Sequence, residues 1–140
     1  MSEGRARPIE QLAEPPRAHT TATGHAVSAA GWLDAHFEAC RPEYEAILSS
    51  VGIGRGERVL DAGCGGGNFL PLLARLVGPA GSVVGVDLAP DNVEAVRARL
   101  DPHDLPCPVT VEIGSLLRLP YPDAHFDAAW CANVLMYLDD

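Results

Sequence analysis

Lysine is absent from this chain of 140 residues, and all ten of its basic residues are arginine. Nineteen acids outweigh them, leaving a formal net charge of −9. No basic cluster exceeds the pairs Arg5/Arg7 and Arg97/Arg99. An acidic chain repels a phosphate backbone, so nonspecific nucleic-acid binding is disfavoured and a small molecule is the better candidate ligand. Long apolar runs are missing too: nothing approaches the roughly 20 residues of a membrane span. The first 24 residues, MSEGRARPIEQLAEPPRAHTTATG, lack the apolar segment of a secretory signal, which leads us to expect a cytoplasmic protein. Cysteine is sparse. Cys40, Cys64, Cys107 and Cys131 are scattered with no C-x-x-C pair, a pattern of free thiols rather than of disulfides or zinc ligands. The five histidines show no metal-ligand spacing, so no metal is expected.

The length allows one domain, and a 47% hydrophobic, 21% charged composition is that of an ordinary globular protein. Residues 1–28, rich in Pro, Ala, Thr, Glu and Arg without periodicity, are expected to form a disordered tail, and residues 29–140 the folded part. Trp32, Leu33 and Phe37, then Tyr44, Ile47, Leu48 and Val51, suggest two leading helices, with Pro42 opening the second. Beyond them strands and helices alternate. The spacing predicts strands over 58–62, 82–87, 108–113 and 126–131, helices over about 68–77 and from 89 to about 100, and a last helix starting near Asn133. Val83, Val84 and Val86 put β-branched residues on both faces of the second strand, as a buried parallel strand requires. Alternating strands and helices imply βαβ units and an α/β fold with a doubly wound, Rossmann-like parallel sheet. Right-handed crossovers place the second and third strands on one side of the first and return the fourth to its other side. That reversal opens a crevice above the carboxyl end of the first strand, where such sheets bind ligands.

The segment at that crevice is RVLDAGCGGGNF, residues 58–69. Asp61 closes the strand, and Gly63, Gly65 and Gly67 follow at alternate positions before an apolar helical segment. Glycines there let the chain turn sharply and let a ligand lie against bare main chain. Asp87 ends the second strand twenty residues past Gly67. A carboxylate so placed can accept hydrogen bonds from both hydroxyls of a ribose, worth about 1.5–3 kcal/mol each; a merely solvated strand-end acid is the alternative. The dinucleotide pattern G-x-G-x-x-G fails here because Asn68 stands where its third glycine belongs. Asp61 would repel a pyrophosphate but attract an amino group and a sulfonium. The charge logic therefore favours S-adenosylmethionine over NAD.

With VLDAGCGGG, VVGVDLAP and GSLLRLPYPDAHFDAAWCANVLMYLDD in this order, the chain from about residue 40 to 140 resembles the class I S-adenosylmethionine-dependent methyltransferases of the small-molecule, type 11-like kind. By that resemblance Asp61 and Gly63 contact the methionine moiety, with Cys64 and Gly65 in the turn beneath it. Asp87 binds the ribose and Leu88 lies against the adenine. Ser115 and Leu116 meet the adenine edge, Cys131 offers backbone near the methionine end, and Asn133 reaches the same place. The family usually carries Asp where this chain has Ser115; an uncharged acceptor implies adenine recognition weaker by about 1 kcal/mol, unless Ser115 simply ends the third strand. Asp123 and Asp127 read as turn and structural groups, and Trp130 as core. Trp32, Phe37 and Tyr44 either line a substrate entrance or pack helices.

The resembled fold has seven strands in the order 3-2-1-4-5-7-6, of which this chain would supply the first four. The expected molecule is thus the amino-terminal, cofactor-binding part of a methyltransferase that transfers a methyl group to a small-molecule acceptor, with no catalytic base in sight. A fragment of a longer protein is the favoured reading of the missing strands. A partner chain that completes the sheet and a truncated relic are the others. A noncatalytic cofactor-binding or interaction module and an NAD-dependent oxidoreductase fragment are the rival functions.

Overall fold

The computed structural model describes residues 30–135 and 138, and the side chains of 33–135 and 138. The tail expected over residues 1–28 and the side chain of Trp32 lie outside the described residues. Two helices lead, α1 (Ala30–Ala39) and α2 (Arg41–Ser50). Pro42 sits in the first turn of α2, where a missing N–H costs no helical bond. There follow β1 (Arg58–Ala62), α3 (Leu70–Val77), β2 (Ser82–Asp87), α4 (Pro90–Arg99), a 3-10 turn over Pro102–Asp104, β3 (Val109–Ile113) and β4 (Ala128–Trp130).

All pairings are parallel and the strand order is β3-β2-β1-β4. The chain therefore winds outward from β1 to β3 and returns to the far side of β1, as right-handed crossovers demand. In β1, Asp61 stands opposite Gly85 of β2 on one side and Trp130 of β4 on the other.

The core is largest on the face that carries the helices. Val59 and Val83 of the sheet meet Leu70, Leu73 and Val77 of α3 and Val93 and Val96 of α4, joined by Phe37 and Leu48 from α1 and α2. Leu60, Ala62 and Val86 face the other way, where Leu116, Leu119, Tyr121 and Phe126 from the β3–β4 connection cover them. Alternation along each strand explains the division, since neighbouring side chains point to opposite faces.

Several predicted boundaries move inward, most clearly at α3 and β4. Helix α3 begins at Leu70 rather than Asn68, because the backbone at 67–69 is still part of the turn that precedes it: Gly67 N–H bonds Cys64 O at 2.7 Å and Leu70 N–H bonds Gly67 O at 3.2 Å. Strand β4 is limited to Ala128–Trp130, the residues that face β1 in register. Asn133, with φ 59°, bends the chain, and 3-10 geometry follows at Leu135; residues 136, 137, 139 and 140 lie outside the described residues.

Trp130 packs into the core as the sequence suggested, its ring 5.1 Å from that of Phe69. Phe37, Tyr44, Phe69 and Trp130 form a continuous aromatic run that fastens the leading helices to the sheet. Asp127 is structural: its carboxylate takes Arg58 Nη2 at 2.9 Å, Arg58 Nε at 3.0 Å and the Arg58 amide at 2.8 Å, locking the start of β1 to the approach to β4.

Candidate functional site

The carboxyl ends of β1 and β2 bring two acids to one place. Asp61, the penultimate residue of β1, lies in the interior, 1% exposed. Asp87 closes β2 at 8% exposure. Between them runs the glycine turn, which is hung on β2: the amides of Gly63 and Cys64 both donate to Val86 O, at 2.8 and 3.0 Å. One carbonyl shared by two successive amides requires a sharp reversal, and Gly63 makes it at φ 77°. Gly65 follows at φ 50° and directs its own N–H onto Asp87 Oδ2 at 2.8 Å. Asp87 Oδ1 accepts the Ala89 amide at 2.9 Å, just ahead of α4. A carboxylate has about four lone-pair sites, so two amide bonds hold Asp87 in place and leave it able to accept two further donors.

Asp61 has no such help. Its Oδ2 is buried and has no hydrogen-bond partner among the described residues. Burial first, and the neighbouring Asp87 charge second, push its carboxyl up to about 8 from an ordinary 3.8. The Cys64 thiol, buried beneath the turn, is pushed well upward by burial and by both carboxyls, and is no nucleophile at neutral pH. Cys64 thus contributes main chain, while its sulfur packs under Gly85.

The other residues predicted for the site take different positions. Leu88, 43% exposed, follows Asp87 at the mouth of the crevice. Ser115 lies past the end of β3, where its hydroxyl accepts the Leu117 amide at 3.3 Å in a local turn. Leu116 turns into the core layer with Leu60, Ala62 and Val86. Cys131 and Asn133 follow β4, and Asn133 Nδ2 donates to Tyr44 Oη at 2.9 Å. Phe37 is core, and Tyr44 combines aromatic packing with that hydroxyl contact.

Several residues that sequence reasoning passed over close the turn from outside. A side chain at Gly63 would come within 2.4 Å of a Val134 methyl, and one at Gly65 within 2.9 Å of a Leu33 methyl. Leu33 and Val134 therefore lie directly on the bare backbone. Asp34 of α1 takes Asn68 Nδ2 at 2.8 Å and Arg99 Nη1 at 2.7 Å, tying α1 to the turn and to the end of α4. These contacts join residues 34 apart and 65 apart in sequence, and no local pattern announces them. Behind the turn, a groove of about 450 Å³ is lined by Gly67, Asn68, Arg75, Arg99, Asp104 and neighbouring apolar groups, and neither Asp61 nor Asp87 borders it. Among the described residues no cluster of His, Cys, Asp and Glu is arranged to hold a metal ion.

The arrangement can do one thing well. It offers a cation a buried carboxyl oxygen lacking a partner and offers a pair of hydroxyls an immobilised carboxylate, across a glycine turn on which Leu33 and Val134 rest. The model of a family described as a methyltransferase domain matches residues 59–140. The chain is 36% identical over 72 residues to a demethylmenaquinone methyltransferase of Symbiobacterium thermophilum, covering 51% of this chain and 29% of that protein. It is 33% identical over 85 residues to the 27-O-demethylrifamycin SV methyltransferase of Amycolatopsis mediterranei, covering 61% of this chain and 30% of that protein. Among solved structures, a SAM-dependent methyltransferase from Aquifex aeolicus superposes with a TM-score of 0.63 at 26% identity, over 74% of this chain and 56% of that one. The chain thus spans about 30% of these curated relatives' length and just over half of the solved one.

Proposed function

The chain belongs to the methyltransferase domain family, and on that premise we propose that it forms the cofactor-binding half of an S-adenosylmethionine-dependent methyltransferase acting on a small molecule. The observation that carries the reading is the buried Asp61 Oδ2 with no partner, at the strand end where a cationic ligand would meet the glycine turn. An unpaired polar atom in the interior costs stability, and the natural compensation is a donor or a positive charge supplied by a ligand. The same acid argues against NAD, whose pyrophosphate would face it.

In this reading Asp61, Gly63 and the main chain of Cys64 and Gly65 receive the amino-acid end of the cofactor. Asp87 accepts the ribose hydroxyls and Leu88 packs on the adenine. Ser115, Leu116, Cys131 and Asn133 border the two ends as the resemblance implies. When bound, the cofactor supplies a methyl group already activated on a sulfonium. The chain's own contribution is to align that group and keep water from it, and Leu33 and Val134, seated on the turn, are placed to do the latter. The named relatives methylate quinone and rifamycin skeletons by their printed names; a small organic acceptor is the corresponding proposal here. We place the protein in the cytoplasm, a compartment suited to four free cysteines. We also propose that a further segment of the protein, or a partner chain, pairs with the outer edge of β4.

Calorimetric titration with S-adenosylhomocysteine and with NADH tests the reading. S-adenosylhomocysteine should bind and NADH should not, and Asp87→Ala should weaken the former at least tenfold, a change of about 1.4 kcal/mol. Tighter NADH binding, or undiminished affinity in the variant, would remove the proposal's basis.

A further inference from the structure

We propose that Asp61 is the specificity-determining group of this site and works by exchange: in the cofactor-free protein its carboxyl holds a proton, and the cofactor's cationic end displaces that proton to solvent. The inference rests on the cofactor reading above and deepens it.

The geometry separates the two acids. Asp87 has both oxygens engaged by amide donors, from Gly65 at 2.8 Å and Ala89 at 2.9 Å. Asp61 Oδ2 is buried without a donor, and the residue is 1% exposed. A buried carboxyl oxygen without a donor leaves the charged form of Asp61 poorly stabilised, and burial favours the protonated one. The titratable groups around Asp61 are Asp87 at the end of β2, Cys64 in the turn and Cys131 after β4. Among the described residues no cation acts on it; the charge it feels is that of Asp87. Every local influence therefore opposes ionisation until a positive ligand arrives.

The exchange is balanced: the Asp61 O–H bond breaks, the proton passes to buffer, and the carboxylate pairs with the ligand's cation. It also defines a filter. A neutral or anionic group at this position leaves the proton in place and gains no ion pair, whereas a cation gains one in a site of low dielectric.

The experiment is titration calorimetry of the whole chain with S-adenosylhomocysteine at pH about 6.5, in phosphate and in Tris, whose ionisation enthalpies differ. The heat difference between buffers should report about one proton released per ligand, declining toward zero above pH 9. Binding should tighten by up to about tenfold per pH unit between 6 and 8. Asp61→Asn should release no proton, and whatever pH dependence it keeps belongs to the ligand's own amine. Binding of the wild-type chain with equal heats in both buffers would overturn the exchange while leaving the cofactor reading intact. A complete lack of binding would defeat that reading and the exchange with it. Infrared difference spectra of the cofactor-free protein give a second measurement: a protonated-carboxyl band at pH 7 that Asp61→Asn abolishes supports the proton's place, and its absence refutes it.

Discussion

Asp61 and Asp127 are chemically the same residue in opposite circumstances. Asp127 lies at the surface, where the hydrogen bonds from the Arg58 side chain and amide hold its carboxyl down to about 2. Its contribution is therefore present above the ordinary carboxylate range and is lost as pH falls through about 2. Being exposed and screened, that pair adds little to stability. Asp61 is buried, raised to about 8 from 3.8, and its linkage runs the other way. Between those two values the folded chain holds a proton that the unfolded chain has released. Stability is thus full below the lower value and falls as pH climbs through the upper one, by up to about 1.4 kcal/mol per pH unit. Urea unfolding at a series of pH values should show this decline. Asp61→Asn should flatten it between pH 5 and 8, whereas an identical decline in the variant would mean that Asp61 is ionised in the native protein.

At the level of elements, the turn between β1 and α3 depends on close approach as much as on conformational freedom. A methyl group on Gly67 would lie 2.7 Å from a Val96 methyl, and the residue sits at φ 73°. Gly67→Ala must therefore bear both left-handed strain of about 1–2 kcal/mol and overpacking of about 1–3 kcal/mol. We expect a loss of at least 2 kcal/mol in unfolding free energy, read by chemical denaturation; a neutral effect would show that α4 stands off from the turn.

This same region shows what the sequence disclosed. Strands β1 and β2 were readable to the residue, since each is a short apolar stretch with an acid at or next to its end. The start of α3 was not, because Asn68 and Phe69 are good enough helix residues and only the bonds of Gly67 and Leu70 reveal that the turn claims them. The seating of Leu33 on Gly65 and the Asp34–Asn68–Arg99 contacts were invisible for a different reason: they join elements distant in sequence, each unremarkable alone. Leu116 shows packing that position alone did not reveal. Its place after β3 suggested an adenine edge, and its side chain, half-buried, also packs against the layer with Leu60 and Val86.

Across the whole molecule, the sheet has two edge strands among the described residues, β3 and β4, each paired on one side. The helices α3 and α4 cover one face, the β3–β4 connection covers the second, and among the described residues β4 pairs with β1 alone. An unpaired strand edge is a template for another strand, in keeping with a chain that spans just over half of its solved relative. The site, by contrast, is assembled from β1, β2, the turn and α1, all within the described residues. The proposed function places its ligand above Asp61 and Asp87, apart from the groove behind Gly67 that Arg75 and Asp104 line. Amide chemical-shift mapping with S-adenosylhomocysteine measures this directly. The account predicts that the largest shifts fall on Gly63, Gly65 and Leu88; shifts centred on Arg75, Asp104 and Leu105 would contradict it.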